Sequence, residues 1–399
     1  MTHSIKTASC AILGLALLLP GEGAAQVAPA SSTGLTISGF ISATMYAQNQ
    51  PFGLFTQGQA ANTAPPVERT EDRWFHGGDV RNTRLSLRFF REQDDDWITS
   101  ATFEVDLFGG FASNEPFGDE MPIPRLRLAY ADLSNGTTTL RIGQMWSPSF
   151  GAVPNSLSHI AFPLGYGSGG VIGWRFPGIA VHHTLASGED GPLTRLQVAA
   201  LAGSWSHVTG GAGPTFPSAG EAGLFPQLEA RLDVAGEAEF GAWNAYVVGH
   251  IDQKDPDGIG VDGGQDPLTG TALEVGGKVV PGPVTLQGNL YYGQAVGQLL
   301  AAITQVGDYD GVGGWAQIGY RLSDRVSLWA FGGMDDARDG GATLPVGARD
   351  KNQILSAMFR YDLPGYSMGL EWLNANTDFV GVAESTSATQ ISVSVFYAF

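Results

Sequence analysis

The stretch that most limits what this chain can fold into is its end, Thr389 to Phe399, which reads TQISVSVFYAF. Ile391, Val393, Val395, Tyr397 and Phe399 recur at every second position, with Ser392, Ser394 and Ala398 between them and Phe396 as the one large exception. A period of two sets a greasy face against a small or polar one, which is the pattern of a strand and not of a helix. Soluble sandwiches also end on strands, but rarely on an aromatic residue with nothing after it.

The opposite end reads as an export signal. Residues 1–25 carry Lys6, then the apolar run Ala11 to Leu19, then Pro20 and the small-residue site Gly23-Ala24-Ala25. That order is the order of a secretory signal peptide, with cleavage expected after Ala25. The run is shorter than the ~20 residues a membrane-spanning helix needs. Cys10, the single cysteine, precedes the run and is not placed as a lipoprotein cysteine would be. The mature chain therefore has no thiol for a disulfide or a metal. An exported chain that ends on an alternating strand with a terminal Phe is expected in a bacterial outer membrane. Tyr397 and Phe399 would be the signal that the barrel-assembly machinery reads.

Between the ends the same pattern repeats. Segments of about ten residues with alternating polarity, separated by turn residues, are the mark of a transmembrane barrel. They fall at 35–46, 81–91, 97–108, 124–133, 137–146, 171–186, 193–206, 227–235, 240–252, 270–280, 284–296, 314–323, 326–335, 352–363, 366–378 and 387–399. The segment at 171–186 is interrupted near Pro177-Gly178 and is the one that could divide in two. Short connections such as Gly236-Glu237, Pro281-Gly282-Pro283 and Pro364-Gly365 alternate with long acidic, Gly-rich ones such as 254–267 and 337–350. The expected fold is all-β, a sixteen-stranded up-and-down antiparallel barrel over 35–399, with 26–34 as a short lead-in and both ends periplasmic. A closed barrel is required because no strand edge can stay unpaired in lipid. The net charge of −18 with 21 basic and 39 acidic residues argues against a nucleic-acid partner.

In such a barrel the polar partner of each alternating pair faces the lumen. That places Arg84 and Arg88 inward between Leu85, Leu87 and Phe89. It places Glu104 and Asp106 between Phe103, Val105 and Leu107, Arg125 and Arg127 beside Leu126 and Leu128, and Arg141 between Leu140 and Ile142. Nine of the 17 arginines lie between Arg69 and Arg141, so the charge is concentrated on a few consecutive strands. A charge on the lipid face would cost ~2–4 kcal/mol at the midplane. The arginines can guide small anions, since anion-selective pores use rings of Arg and the guanidinium fork suits carboxylates. They can equally brace the wall against Glu104, Asp106 and loop acids. The acidic total leaves a cation preference open. By analogy with sixteen-stranded pores, whose third long loop folds into the barrel, the long segment 147–170 is expected to narrow the lumen and bring Ser149, Asn155, Ser156, Ser158, His159 and Tyr166 near the arginines; the alternative is a packed surface loop. Tyr46, Trp97, Trp146, Trp315, Trp372 and Tyr397, near strand ends, are expected in the interfacial girdles.

These stretches resemble the DcaP-like trimeric porins of Gram-negative outer membranes. The matching residues are Gly39-Phe40-Ile41, Arg81 through Arg84, Glu104-Val105-Asp106-Leu107-Phe108-Gly109, Arg125-Leu126-Arg127-Leu128-Ala129-Tyr130 and Gly143-Gln144-Met145-Trp146-Ser147. The similarity is clearest over 35–185. It implies a homotrimer of sixteen-stranded barrels for small, often negatively charged solutes such as dicarboxylates, with Arg84, Arg125, Arg127 and Arg141 lining the pore. Some members carry a helical N-terminal extension, for which this chain has only about nine residues between the expected cleavage site and the first strand.

Two other functions fit less well. A structural or adhesive barrel is weakly opposed by polar loops that neither close nor fill the lumen. An outer-membrane hydrolase needs a nucleophile, a base and an orienting group in reach of one another. Ser156 and His159 offer only proximity in sequence, and His182 and His183 point to opposite faces of a strand. The Asp-rich loop 255–266 lacks the closing Glu of an EF-hand and is read as a solvated surface that touches lipopolysaccharide. No cofactor and no catalytic residue are expected.

Overall fold

Backbone N–H and C=O groups have no partner in hydrocarbon, so strands there must close on themselves. The computed structural model of the chain describes residues 33–56, 59–68, 73–92, 97–112, 118–158, 164–165, 172–187, 191–203, 218–255, 266–299 and 306–399. Over those residues it is a closed barrel of sixteen antiparallel strands. The expected signal peptide, most of the lead-in segment, His159, Tyr166 and most of the Asp-rich loop lie outside the described residues.

The strands are β1 (Thr33–Gln48), β2 (in two pieces, Phe75–Asp79 and Arg84–Glu92), β3 (Ile98–Asp106), β4 (Arg125–Ser134), β5 (Thr138–Trp146), β6 (Arg175–Ala186), β7 (Leu193–Leu201) and β8 (Gln227–Ala238). They continue with β9 (Gly241–Lys254), β10 (Leu268–Pro281), β11 (Val284–Gln294), β12 (Tyr309–Arg321), β13 (Val326–Asp339), β14 (Arg349–Leu363), β15 (Tyr366–Phe379) and β16 (Thr386–Ala398). Each pairs with its neighbour in sequence, and β1 pairs with β16 from Phe40↔Ala398 to Gln48↔Gln390. Gly39 and Phe399 then exchange backbone hydrogen bonds of 3.1 Å each, which joins the final residue to the first strand. Pro177 sits near the start of β6, so 175–186 is one strand and not two.

β2 is longer than its sequence pattern indicates. Its first piece precedes the segment 81–91 that the alternation marks, and Gly77 and Gly78 hide the alternation there. From Phe40 to Thr44 β1 advances four residues while β2 advances five, from Asp79 to Arg84. The extra residue makes a bulge at 80–83, where Asn82 donates to Ser42 Oγ and the Thr83 hydroxyl donates to the Ser42 carbonyl.

Side-chain direction follows the period of two. Ile41, Met45, Phe89, Phe103, Leu126, Ile142, Leu290, Val393 and Tyr397 are exposed on the outer surface, whereas Ser42, Thr44, Ser392 and Ser394 are buried inside. Two expectations fail because parity outranks residue type: Tyr46 shares the inner row with Thr44, and Trp315 is buried inward beside Phe331. A third fails for a different reason: Trp146 belongs to the row of Leu140 and Ile142, but it is the last residue of β5, where the chain turns inward, and it stacks on Phe150 at 3.7 Å. Leu128 departs as well. The ladder shifts between Glu104 and Val105, so Leu128 lies opposite Glu104 and Arg127 is the extra residue.

Candidate functional site

On β2–β6 the inner row is a mesh of arginines and carboxylates. Arg125 binds Asp106 through two contacts, Nε–Oδ1 at 3.0 Å and a second guanidinium nitrogen to Oδ2 at 2.7 Å. Arg127 spans both acids, with Nε donating to Glu104 at 2.7 Å and another nitrogen donating to Asp106 at 2.8 Å. Arg84 approaches Glu104 at 3.7 Å, and Arg141 makes a two-pronged pair with Asp132 at 2.8 and 2.9 Å. Glu104 and Asp106 are interleaved with the arginines, at 3% and 1% exposure, which is the bracing arrangement that the sequence left open beside anion guidance. Neighbouring inner-row residues of an antiparallel pair lie within reach of one another, so adjacent polar rows neutralise locally before they act across a pore. Arg88 occupies the same row and is exposed, near the end of the barrel that holds both termini.

Two further arginines complete this wall. Arg81, in the β2 bulge, binds Asp79 and lies over the rings of Phe108 and Phe111 at 4.9 and 4.7 Å. Arg175 opens β6 and lies over Trp146 and Trp174 at 5.0 and 4.3 Å. Arg84, Arg141 and Arg127 similarly face Phe40, Tyr130 and Trp146. Ring faces attract a guanidinium and hold its plane. Six arginines (81, 84, 125, 127, 141, 175) thus meet four carboxylates (Asp79, Glu104, Asp106, Asp132) along β2–β6. Alternation could not have shown Arg175, which shares the odd row of the exposed Ile179 and Val181 and turns inward only at the start of β6. Arg81 falls where the pattern breaks.

The stretch after β5 folds inside the ring and follows the remaining wall. Ser149 N donates to Glu229 on β8 at 2.7 Å, and Arg231 on β8 donates to the carbonyls of Pro148 and Phe150. Ala152 N donates to the hydroxyl of Tyr246 on β9, and Asn155 exchanges N–H and C=O bonds with the Gln317 amide on β12. Glu371 on β15 accepts from the Ser156 hydroxyl at 2.8 Å and from the N–H groups of Leu157 and Ser158. Ser158 then reaches Gln390 on β16. Phe150 and Leu164 pack with Trp315, Phe331, Ile354 and Leu373. At Gly151 a Cβ would lie 2.0 Å from both Glu274 and Tyr246, so only glycine allows this approach. The segment therefore runs from β8 round to β16. Ser149, Asn155, Ser156 and Ser158 bond to that wall and not to the arginines, contrary to the sequence expectation. The inward path was expected from the resemblance to sixteen-stranded porins, whose third long loop folds into the barrel. Its anchors, Glu229, Gln317 and Glu371, stand 80 to 215 residues away from their partners in sequence.

A closed barrel with polar inner rows and one connection laid along its inside is the form of a diffusion pore. Residues 14–399 match the sequence model described as Gram-negative porin. Among solved structures the chain is similar to the outer membrane channel DcaP of Acinetobacter baumannii, at 19% identity and a TM-score of 0.70, over 92% of this chain and 98% of that one. It is similar to an anion-selective porin from Comamonas acidovorans at 12% identity and 0.57, over 92% and 100%. It is also similar to the trimer form of OmpT from Vibrio cholerae at 10% identity and 0.55, over 92% and 100%. No curated protein matches the chain in sequence. The family match spans nearly the whole chain, and with the barrel it places the protein in the outer membrane as a diffusion channel. The chain belongs to the Gram-negative porins.

Proposed function

We propose that this channel favours small anions, carboxylates and dicarboxylates above all, and that its homotrimer passes them between the arginine wall of β2–β6 and the inward segment after β5. The observation that carries this reading is the division of the inner wall. On the far arc the carboxylates of Glu229 and Glu371 accept N–H groups from the inward segment, so their charge is turned toward that segment's backbone. On the near arc six arginines meet four carboxylates, a surplus of positive charge. Fixed guanidinium planes suit the two oxygens of a carboxylate. Arg84, Arg88, Arg125, Arg127 and Arg141 are the proposed solute contacts, with Arg81 and Arg175 added to them. Ser156 is an anchor in this reading. The trimer is supported by the family resemblance and by the trimer form of the Vibrio cholerae neighbour. A fold neighbour described as anion-selective agrees with the charge reading. An N-terminal export signal, and an assembly signal at Tyr397 and Phe399, belong to the same proposal.

Swelling of proteoliposomes tests the preference. Succinate is expected to enter faster than a neutral polyol of similar size, and the polyol faster than a diamine. Entry of the diamine ahead of succinate would overturn the anion preference while leaving the channel.

A further inference from the structure

A second piece of chain folds inward. It is the start of the connection from β11 to β12, Ala295 to Leu299. Val296 and Leu299 are buried against Met145, Ile172, Phe176, Leu201 and Tyr291, and Gly173 N donates to the Leu299 carbonyl at 3.1 Å. Ala295 has φ of 53°, a left-handed conformation that a side chain disfavours and that persists only when the surroundings hold it. Lys254, at the end of β9 and fully buried, donates to the Ala295 carbonyl at 2.8 Å and to Asp252 at 2.5 Å.

The contacts do not stop at Asp252. Its Oδ1 lies 3.5 Å from Nε2 of His250, and Nδ1 of the same ring lies 3.0 Å from Glu229 Oε1. Glu229 is the residue that accepts Ser149 N from the other inward segment, and Gln227 donates to it at 2.6 Å. His250, Asp252 and Lys254 share the inner row of β9, and His250 stands opposite Glu229 on β8. A single file of buried groups, Glu229, His250, Asp252 and Lys254, therefore connects Ser149 at one end to Ala295 at the other.

We propose that this file is a latch that makes the two inward segments dock and release together, as one gate of the channel. The proposal rests on the reading that these segments narrow the pore, and it concerns the size of the opening and not the ion preferred. The physical reason is the cost of leaving a buried charge without its partner. If Ser149 pulls away and Glu229 turns, His250 loses a carboxylate, and the change passes to Asp252 and Lys254. If Ala295 leaves, Lys254 loses an acceptor, and the change passes the other way. Glu229, His250 and Lys254 act as positioning residues through the backbone of the two segments.

Single-channel recording of the refolded protein in planar bilayers tests this, with zero-current potentials measured in parallel. Glu229→Gln and Lys254→Met are each expected to raise occupancy of one and the same larger-conductance level, by about tenfold or more given the weight of a buried unpaired charge. The double variant should match the stronger single variant, the non-additivity expected of residues in one network. The ion preference should stay as in the unaltered protein. A merely structural role would lower stability without making the two levels coincide. Two different levels, with both present in the double variant, would overturn the latch. So would unchanged occupancy in folded variants. If a charge variant does not fold, His250→Gln cuts the middle of the file at similar size and must produce the same level. Its failure to do so in a folded barrel also overturns the proposal, as does a variant whose ion preference departs from that of the unaltered protein, whereas a cation preference in the unaltered protein bears only on the anion reading.

Discussion

Glu371→Ala should release the far end of the inward segment and produce a larger, noisier single-channel current. Glu371 is 3% exposed and accepts from four groups: the Ser156 hydroxyl, the N–H groups of Leu157 and Ser158, and the Ser356 hydroxyl at 3.2 Å. Each net hydrogen bond contributes about 1 kcal/mol, and a buried donor left without an acceptor costs more. Three of these four groups belong to the inward segment, so their loss amounts to roughly 3 kcal/mol, or about two powers of ten in the ratio of released to docked segment. Release should be confined to 156–158, because Ser149, Phe150, Ala152 and Asn155 keep their own anchors. Glu371→Gln preserves the shape and one strong acceptor and should recover most of the docked current. A current identical in Glu371→Ala and the unaltered protein would mean that the segment does not narrow the pore.

The second large effect is expected at Arg127. It is the one guanidinium that joins Glu104 to Asp106 among the described residues, and both acids are almost fully buried. Removing one partner of a buried charge pair typically costs ~3–5 kcal/mol. Arg127→Ala should therefore lower the denaturant midpoint of the folded barrel and reduce the ratio of anion to cation permeability. Asp106 retains Arg125 at 2.7 Å, but Glu104 retains only the longer contact to Arg84 at 3.7 Å. Arg127→Lys keeps the charge and loses the fork, so it should keep the ion preference better than the stability. If both variants shift permeability equally, the geometry of the guanidinium governs the solute and not its charge.

The barrel was legible because a period of two is a local property and lipid allows few ways to use it. The row of every ladder arginine, 84, 88, 125, 127 and 141, could be read from its apolar neighbours. Legibility ended where the period is interrupted. Gly77 and Gly78 concealed the first piece of β2, and the bulge at Arg127 turned Leu128 away from its expected row. Trp146 and Trp315 misled in another way. Their type suggests the membrane interface, but they pack around Phe150 and hold the inward segment. The partners of that segment could not be read at all, because Ser149 meets Glu229 and Ser156 meets Glu371 through the closure of the ring. The alternation Gln227, Glu229, Arg231, Asp233 shows plainly that β8 presents charge to the lumen, but not which strand or loop receives it. The interleaving of Glu104 and Asp106 with the arginines likewise depends on register, which alternation leaves undetermined.

The most direct measurement is the zero-current potential of the purified protein in a planar bilayer under a KCl gradient. A potential of the sign that chloride permeation produces is the expected result, and it should diminish in Arg127→Ala. A potential of the sign that potassium produces would contradict the arginine wall as the source of selectivity and assign the choice of ion to the acidic connections at the mouth.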